Sequence, residues 1–518
     1  MSLQLYLFTI SFLKARQVYF QILFPIKRFL NTFRSYNKFI HLDIKNVPAS
    51  YFPIIDHQKN KGEHKFTLLN IEHDFRETID WNISIHGKLW NYKLQYLDFL
   101  LDPDLEVGER NEYLLDISKK ILDKSLTLEP YPVSLRLVNS LLFINQCKVE
   151  DELICQAILK QIHFLESNLE YHIDGNHLLE NAITLRFCCQ FISNEKLKSF
   201  AKKFLSTLLK EQILNDGAHF ERSPMYHFQI LNRLTTLIGV LDISESDYNE
   251  IIQYLQKMYS WLIILTRSGK YFPFLQDSTG NYLKGFLKLE EFLISKGLEK
   301  KFCELKDSGY RILESDKLFA IANIVSTSPS FQPGHSHADA GSFVLYYKDS
   351  PVFVDRGIST YEVSETRSLE RSTAGHNTVN LNGKNQSEMW SSFRVGRRAR
   401  TLLEFESKRQ FKLSCKPFYN SLVEHNRNFE FMEQSLIIID SVSGYDNEIC
   451  EARLYCDHAC SVENNEHTVK VNGLWVRFEN ALHLQLISYQ QALDFNLCRS
   501  ATCIVISFRN SLTTRIHV

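Results

Sequence analysis

Glycine and proline are scarce in this sequence, whose 518 residues include 19 glycines and 12 prolines but are 44% hydrophobic. This composition excludes a disordered, collagen-like or low-complexity chain and predicts sizeable apolar cores. An excess of one charge is also lacking, because 59 Lys and Arg residues stand against 60 Asp and Glu residues. The chain therefore lacks the global positive field with which general nucleic-acid-binding proteins attract phosphates, and any polyanion must bind to a local patch.

The N-terminus has no hydrophobic run of membrane-spanning length, since its apolar stretch ends at Lys14 after about a dozen residues. It also has no basic start and no small-residue cleavage site before Lys14, so we expect no secretory signal. Basic residues interleave with Phe, Leu and Ile beyond this point, which leaves two alternatives: a peripheral membrane-surface helix or a helix packed on the domain behind it. These basic residues are Lys14, Arg16, Lys27, Arg28 and Arg34.

The cysteines lack the regular spacing of a disulfide framework. There are eleven of them, an odd number, which favours buried free thiols. Cys456, His458 and Cys460 share one face of a predicted strand, but no second group of ligands accompanies them, so we favour an ordinary strand over a metal site. Free thiols and the N-terminus together favour a cytoplasmic or membrane-peripheral location.

Two patterns divide the chain. From about residue 89 to 298, apolar residues recur at three and four positions, which predicts paired amphipathic helices. After about residue 308, short alternating runs rich in Val, Ile, Phe and Tyr predict an antiparallel β-sandwich. We predict an N-terminal basic and apolar helical segment at 1–45, a helical domain at 46–305 and a β-sandwich domain at 306–518. No Gly/Ser linker separates the two halves, so a cleft between them is the expected ligand site.

The densest polar cluster is PGHSHAD at 333–339, between two predicted strands. His335 and His337 would share a face if this segment were extended, and they could bind a metal or transfer protons; a turn with incidental imidazoles is the alternative. Asp355 and His376 follow at later positions. With His337 they make a nitrogen and oxygen ligand set suited to zinc, with a fourth position free for water or another ligand.

The helical half contains a second polar group. Asn176 and Glu180 lie four residues apart, on one face of a predicted helix, with His177 and Asn181 beside them. A buried network that satisfies its own hydrogen bonds is the alternative to a functional role. Tyr226 follows Ser223-Pro224 in the segment DGAHFERSPMYH, at a predicted helix start. A tyrosine near a cation can act as a base, although an aromatic residue in a helix interface is the more ordinary role.

These motifs resemble the heparinase II/III family of polysaccharide lyases, whose members join an (α/α) toroid to an antiparallel β-sandwich. The resemblance covers most of the chain from about residue 65 to 400 and weakens beyond Leu402. It implies an incomplete (α/α) toroid followed by a β-sandwich. It rests on the segments DWN, LWNYKLQYLDFL, EPYPVSLRLVN, DGNHLLEN, DGAHFERSPMYH, PGHSHADAGSF, VDRGISTYE and RSTAGHNTVNLNGKNQSEMWSSFRVGRRAR.

The resemblance implies cleavage of a uronic-acid-containing acidic polysaccharide by β-elimination. This reaction needs groups that neutralise the uronate carboxylate, remove the C5 proton and protonate the leaving oxygen. By resemblance, Asn176 binds the carboxylate, Tyr226 acts as base and acid, and His335 assists proton abstraction. Glu180 is implied as an orienting partner. A structural zinc ion held by His337, Asp355 and His376 is implied to brace the loop that carries His335.

Arginines in the same blocks suit contact with a polyuronide, or else form a solvated strand face. The candidates for substrate contact are Arg371, Arg394 and Arg398, together with His177. Gln276-Asp277-Ser278 and Arg356 depart from the family's usual residues, and this affects the choice of substrate more than the reaction class.

Two other functions stay open: a uronyl C5-epimerase acting on the same carbanion, and a non-catalytic binding protein of a capsule or exopolysaccharide pathway. The sequence leaves the uronate, the sulfation preference and the oligomeric state undetermined. The compartment also stays open, because the free thiols and the N-terminus favour the cytoplasm, whereas the family resemblance favours the periplasm.

Overall fold

In a computed structural model of the protein, helices occupy most of the chain up to residue 295. Strands occupy most of it from residue 310 onward. The structure describes residues 3–32, 47–53, 59–60, 64–280, 282–445, 448–465 and 468–518, with the backbone alone for 27–32 and 59–60. The α-helices are α1 Leu3–Ser11, α2 Ala15–Thr32, α3 Lys88–Tyr96, α4 Val107–Leu122, α5 Pro130–Cys147, α6 Glu152–Ser167, α7 Gly175–Cys188, α8 Glu195–Gln212, α9 Pro224–Ile238, α10 Tyr248–Leu265, α11 Leu283–Ser295 and α12 Glu365–Glu370. Short 3₁₀ helices lie at Asp98–Leu101 and Thr373–Gly375.

The strands are short in the first part of the chain and long at its end. They are β1 Lys59–Asn60, β2 Lys65–Leu68, β3 Ile71–Asp74, β4 Tyr310–Glu314, β5 Leu318–Asn323, β6 Phe343–Tyr347, β7 Ser350–Phe353, β8 Val379–Leu381, β9 Met389–Trp390, β10 Arg394–Val395, β11 Arg400–Glu406, β12 Gln410–Lys416, β13 Glu424–Met432, β14 Ser435–Ser443, β15 Cys450–Tyr455, β16 Val462–Asn465, β17 Thr468–Val471, β18 Leu474–Asp494 and β19 Leu497–His517. All the named strand pairs are antiparallel, as predicted.

The two predicted halves share a four-stranded sheet, in the order β4-β5-β6-β7, as a middle layer. In β5, Phe319 and Ile321 join the apolar core of the helices, whereas Leu318, Ala320 and Ala322 join the core formed with the ten-stranded sheet. Side chains alternate along a strand, so both faces of β5 are buried. This double burial explains the uninterrupted apolar run LFAIA, and it ties the helices firmly to the sheets.

A three-stranded sheet, β1-β2-β3, lies between α2 and α3 in the sequence and was not predicted. Phe66 and Leu68 alternate on its buried face and pack into the helical core. The strands are only two to four residues long, too short for a clear alternation of polar and apolar residues.

Helices α1 and α2 pack on the rest of the chain, which is the second of the two alternatives for the N-terminus. Lys14 and Arg16 pair with Asp174 and Glu211. The side chains of Lys27 and Arg28, and all of Arg34, lie outside the described residues. No helix within the described ranges has both the length and the apolar character needed to span a bilayer. Membrane contact by this segment stays a prediction.

Candidate active site

A cleft of about 1220 Å³ lies where α7, α9 and the segment before β6 come together. Six of the predicted site residues line it, although they come from distant parts of the sequence. These six are Asn176, His177, Glu180, Tyr226, His335 and Arg394.

Asn176 is the second residue of α7, a helix that is buried along its whole length except at His177. The N-cap Asp174 accepts a hydrogen bond from the Gly175 backbone N–H, and Gly175 has a positive φ of 59°. A Cβ atom at Gly175 would lie 2.2 Å from Glu221 Oε1, so only glycine permits this approach. The Asn176 side-chain amide lines the cleft without a described hydrogen-bond partner, and its Oδ1 is buried. A buried unpaired amide of this kind is suited to a ligand.

Tyr226 lies in the first turn of α9, where the Ser223 hydroxyl caps the helix by accepting from the Tyr226 N–H and Pro224 takes the first position. Its hydroxyl is 2.9 Å from the Tyr361 hydroxyl. Burial, helped by the negative charge of Asp277, raises the pKa of Tyr226 well above its ordinary value. Tyr226 is therefore a neutral phenol at rest, able to donate a proton.

His335 stacks on Tyr226, with 3.8 Å between ring centroids and 15° between ring planes. Its Nδ1 is 2.7 Å from Glu221 Oε2, and the other Glu221 oxygen accepts the Asn176 backbone N–H at 3.0 Å. Burial alone would raise the pKa of Glu221, but these donors and the charge of His335 lower it to about 2. The ionised carboxylate requires the His335 proton on Nδ1, which leaves Nε2, unpartnered among the described residues, as a proton acceptor when the ring is neutral.

Glu180, His177 and Arg233 extend the polar lining of the cleft. Burial raises the pKa of Glu180, against the opposing charge of Arg233, whose Nε is 3.7 Å from Glu180 Oε1. His177 stacks on Tyr131 with 4.1 Å between centroids, and its Nδ1 is 3.0 Å from Glu170. Burial opposes protonation of His177, yet Glu170 raises its pKa above the ordinary value.

The three predicted substrate-binding arginines lie in different surroundings. Arg394 is exposed and lines the cleft. Arg371 is buried and donates to the backbone carbonyls of Ser391 and Ser336. Arg398 donates to the carbonyls of Gly396 and Ser330. Neither Arg371 nor Arg398 is among the described residues that line the cleft, and their contact with substrate stays a prediction.

The three predicted metal ligands form a buried cluster behind the cleft. His376 Nδ1 is 2.6 Å from Asp355 Oδ2, and the rings of His376 and His337 are 5.1 Å apart. His337 Nε2 is 2.8 Å from Asp277, which also binds the Arg367 guanidinium through two oxygens at 2.6 and 2.7 Å.

Two nitrogens of this cluster suit a metal ion, because His337 Nδ1 and His376 Nε2 are buried without a hydrogen-bond partner. Asp355 is already engaged, since its second oxygen accepts the Gly357 N–H. No three His, Cys, Asp or Glu side chains in the described ranges are arranged to hold a metal ion. Two of the three predicted ligands therefore have a free nitrogen for zinc.

Sequence reasoning assigned no role to four residues that shape the site: Glu221, Tyr361, Arg233 and Asp277. Glu221 and Tyr361 lie in the quoted segments DGAHFERSPMYH and VDRGISTYE, so the signal was present, but their partners are 114 and 135 residues away in the chain. Arg233 lies seven residues after Tyr226, two helical turns along α9. Asp277 was noted only as a departure from the family pattern.

Comparisons with known proteins agree with this arrangement of the chain. The family model "Heparinase II/III N-terminus" matches residues 131–289, and "Heparinase II/III-like, C-terminal" matches residues 299–516. A heparin-sulfate lyase of Bacteroides stercoris is 23% identical over an alignment of 450 residues that covers 77% of this chain and 64% of that protein. A heparin-sulfate lyase of Pedobacter heparinus is 23% identical over an alignment of 333 residues that covers 58% of this chain and 49% of that protein. The matches thus span less than two thirds of the length of these relatives.

Solved structures show the same fold. A crystal structure of heparinase III has a TM-score of 0.65 at 15% identity and matches 85% of this chain and 79% of its own. A mutant heparan sulfate lyase from Pedobacter heparinus has a TM-score of 0.54 at 17% identity, over 88% and 81% of the two chains. The two family models together account for most of the chain from residue 131 onward, and the protein belongs to the heparinase II/III family.

Proposed function

We propose that the protein is a polysaccharide lyase that cleaves a uronic-acid-containing acidic polysaccharide by β-elimination. One observation carries the proposal: Asn176, Tyr226 and His335 converge on one cleft, and Glu221 contacts both the Asn176 backbone and the His335 ring. The related heparin-sulfate lyases support the reaction class. The unpaired Asn176 amide can neutralise the uronate carboxylate, and the His335 imidazole nitrogen can remove the C5 proton. The neutral Tyr226 phenol can protonate the leaving oxygen.

Asn176 binds the uronate carboxylate in this proposal. Its amide N–H groups donate to the carboxylate, which reduces the charge that builds up there when the C5 proton leaves. Arg233 lies in the same cleft, and its Nη1 is buried without a partner, so it offers a cation for the same purpose. Glu180, 3.7 Å from Arg233, orients this cation.

His335 and Tyr226 share the proton transfers. The predicted role of Tyr226 as base and acid is narrowed here to acid alone, because burial raises the pKa of Tyr226 and keeps its proton in place. His335 Nε2 takes the C5 proton, while the C4–O4 bond breaks and a C4=C5 double bond forms. Tyr226 Oη donates its proton to the departing O4 and recovers one from the imidazolium or from water. The 3.8 Å stacking of the two rings places base and acid side by side, which suits removal of a proton and a leaving group from neighbouring carbons.

The remaining predicted roles fit around this core. Arg394 and His177 line the cleft and contact neighbouring sugars. Arg371 and Arg398 stay candidates for substrate contact, and both donate to backbone carbonyls in this structure. The helices form an incomplete (α/α) toroid at 46–305, and the sheets form a β-sandwich at 306–518.

A structural zinc ion is part of the proposal. His337, Asp355 and His376 would hold it, and the buried unpaired nitrogens of the two histidines support this. When bound, the ion supplies a rigid link between the segments that carry these residues. Metal content of the purified protein, measured by atomic emission before and after the His376→Ala substitution, tests it: about one zinc per chain should fall to none, and a metal-free native protein would refute it.

The function is tested by absorbance at the enol-ether band of an unsaturated uronate. The purified protein is incubated with glucuronate-, iduronate- and mannuronate-containing polymers, including heparan sulfate, with and without zinc. A rise with one polymer, abolished in Tyr226→Phe, supports elimination and identifies the uronate. Solvent deuterium at C5 without cleavage would instead indicate an epimerase, and binding without either would indicate a binding protein.

A further inference from the structure

The N-terminal arm, residues 3–26, forms part of the wall of the cleft. Its two helices contribute several lining residues, among them Tyr6, Thr9, Gln17, Gln21 and Phe24. The arm precedes residue 131, so it lies outside both ranges matched by the family models.

One set of contacts anchors the arm beside Asn176. Arg16 Nη2 is 2.8 Å from Asp174 Oδ2, and Lys14 pairs with Asp174 and Glu211. Asp174 is the N-cap of α7, two residues before Asn176, and its side chain is fully buried. The position of the arm is thus set relative to the group proposed to bind the uronate carboxylate.

A second set anchors the arm beside His335. The Gln17 amide donates to the carbonyls of Ile173 and Phe331, at 3.3 Å each. The Lys14 ammonium lies 3.5 Å from the centroid of the Phe331 ring. Phe331 is four residues before His335. Gln17 therefore bridges the residue just before the start of α7, which carries Asn176, and the segment that leads to His335.

A third set joins helix α1 to the strand half. The Trp390 indole N–H donates to Thr9 Oγ1 at 3.2 Å, and the Tyr6 ring meets the Trp390 ring edge-on with centroids 5.2 Å apart. The Arg398 guanidinium lies 3.5 Å from the centroid of the Phe12 ring. Tyr6 and Trp390 together make an aromatic corner at the cleft, an amphipathic surface of the kind that packs on sugar rings.

The cleft remains open with the arm in place. Its volume of about 1220 Å³ exceeds the range of roughly 300–1,000 Å³ typical of small-molecule pockets. Asn176, Tyr226 and His335 line the same cleft, so the arm leaves them accessible. Gln21 also lines the cleft and is exposed, so its amide, which has no hydrogen-bond partner among the described residues, is accessible to a ligand. The arm thus bounds the cleft without filling it.

We propose that the N-terminal arm forms a subsite for the sugars that flank the cleaved uronate, with the Gln21 amide bonding sugar hydroxyls and the Tyr6–Trp390 corner packing on a sugar ring. This inference rests on the proposed function. The arm acts as a binding element for longer acidic oligosaccharides, and the catalytic groups act on short and long substrates alike.

Three variants of the full chain test the subsite. Gln21→Ala removes the unpaired amide, and K14A/R16A removes both cations that anchor the arm. Ile22→Ala is the matched control, because Ile22 is next to Gln21, is 66% exposed and is not among the described cleft-lining residues. The rate of unsaturated product formation is measured on oligosaccharides of increasing length, and limited proteolysis reports whether the arm has undocked.

We expect Gln21→Ala to raise KM about two- to tenfold for the longer oligosaccharides, which corresponds to the loss of one or two hydrogen bonds. The kcat should stay unchanged. K14A/R16A should raise KM further and expose the arm to protease, while the shortest cleaved oligosaccharide and the control variant keep wild-type values. Unchanged KM at every length in a K14A/R16A protein with an undocked arm would overturn the inference. Faster turnover on undocking would also overturn it, because the arm would then obstruct the cleft. An inactive wild-type protein would instead refute the proposed function.

Discussion

His335 and His337 are two residues apart, yet they lie in different environments. His335 borders the cleft, with Nδ1 held by Glu221 and Nε2 unpartnered among the described residues. His337 is fully buried, with Nε2 bonded to Asp277 and Nδ1 enclosed without a partner. The segment is a turn, closed by the Ser336 N–H on the Pro333 carbonyl, so the same-face expectation for an extended strand does not apply. The same turn therefore places His335 at the cleft, where it can transfer protons, and His337 in a buried structural cluster.

The largest effect should separate these two histidines directly. His335→Ala should lower kcat for elimination by about 10²- to 10⁴-fold, the usual contribution of a general base. It should also lower the stability, because the buried Glu221 carboxylate loses its partner. His337→Ala should lower the free energy of unfolding by about 1–3 kcal/mol, because it leaves buried polar partners unpaired. Initial rates and thermal unfolding of both variants check this. Similar losses of activity and stability in the two proteins would remove the distinction.

Asp277→Asn tests the structural role of the buried cluster that contains His337 and Arg367. Burial would raise the pKa of Asp277, but the Arg367 guanidinium holds it well below its ordinary value, so the pair is ionised. The substitution leaves Arg367 buried without its counter-charge, and we expect the free energy of unfolding to fall by about 3–5 kcal/mol. Denaturant unfolding measures it. A change below about 1 kcal/mol would mean that water reaches this guanidinium.

Glu370, on the same helix as Arg367, gives a pH test of the buried region. Burial raises the pKa of Glu370 to about 7, against about 4.3 for an unfolded glutamate. The folded state keeps a proton that the unfolded chain releases, so the free energy of unfolding should fall by roughly 2–4 kcal/mol as pH rises from about 4 to 7. Glu370→Gln should flatten this slope while keeping the acceptor for the Ser359 N–H. If the free energy of unfolding depended on pH in the same way in both proteins, the raised pKa of Glu370 would not be the cause of the slope.

Glu221→Gln, which changes the hydrogen-bond partner of His335, should produce the smallest of these effects, a fall in kcat. Glutamine can still accept from His335 Nδ1, but it lacks the charge that holds the proton there. We expect kcat to fall about ten- to a hundredfold, as for other partners that orient a functional histidine. Rates are compared with those of Glu221→Asp, which keeps the charge at a shorter reach. Wild-type kcat in Glu221→Gln would show that the carboxylate does not control the ring.

Family membership and the order of helices before antiparallel strands were accessible from the sequence. The repeats of three and four residues and the alternating runs reflect which faces are buried, and such patterns are local. The motifs around Asn176, Tyr226 and His335 are also contiguous, so each could be recognised by itself. The sheet β1-β2-β3 was missed because its strands are too short to show a period.

The sequence by itself therefore determined the element types, the family and the residue types available for acid–base chemistry. Only the tertiary structure decided that Glu221 holds His335, that Tyr361 meets Tyr226, that Asp277 pairs with Arg367 and that the N-terminal arm lines the cleft. These contacts join residues 90 or more positions apart along the chain. Their pairing depends on how helices and sheets pack, a property that no local pattern encodes.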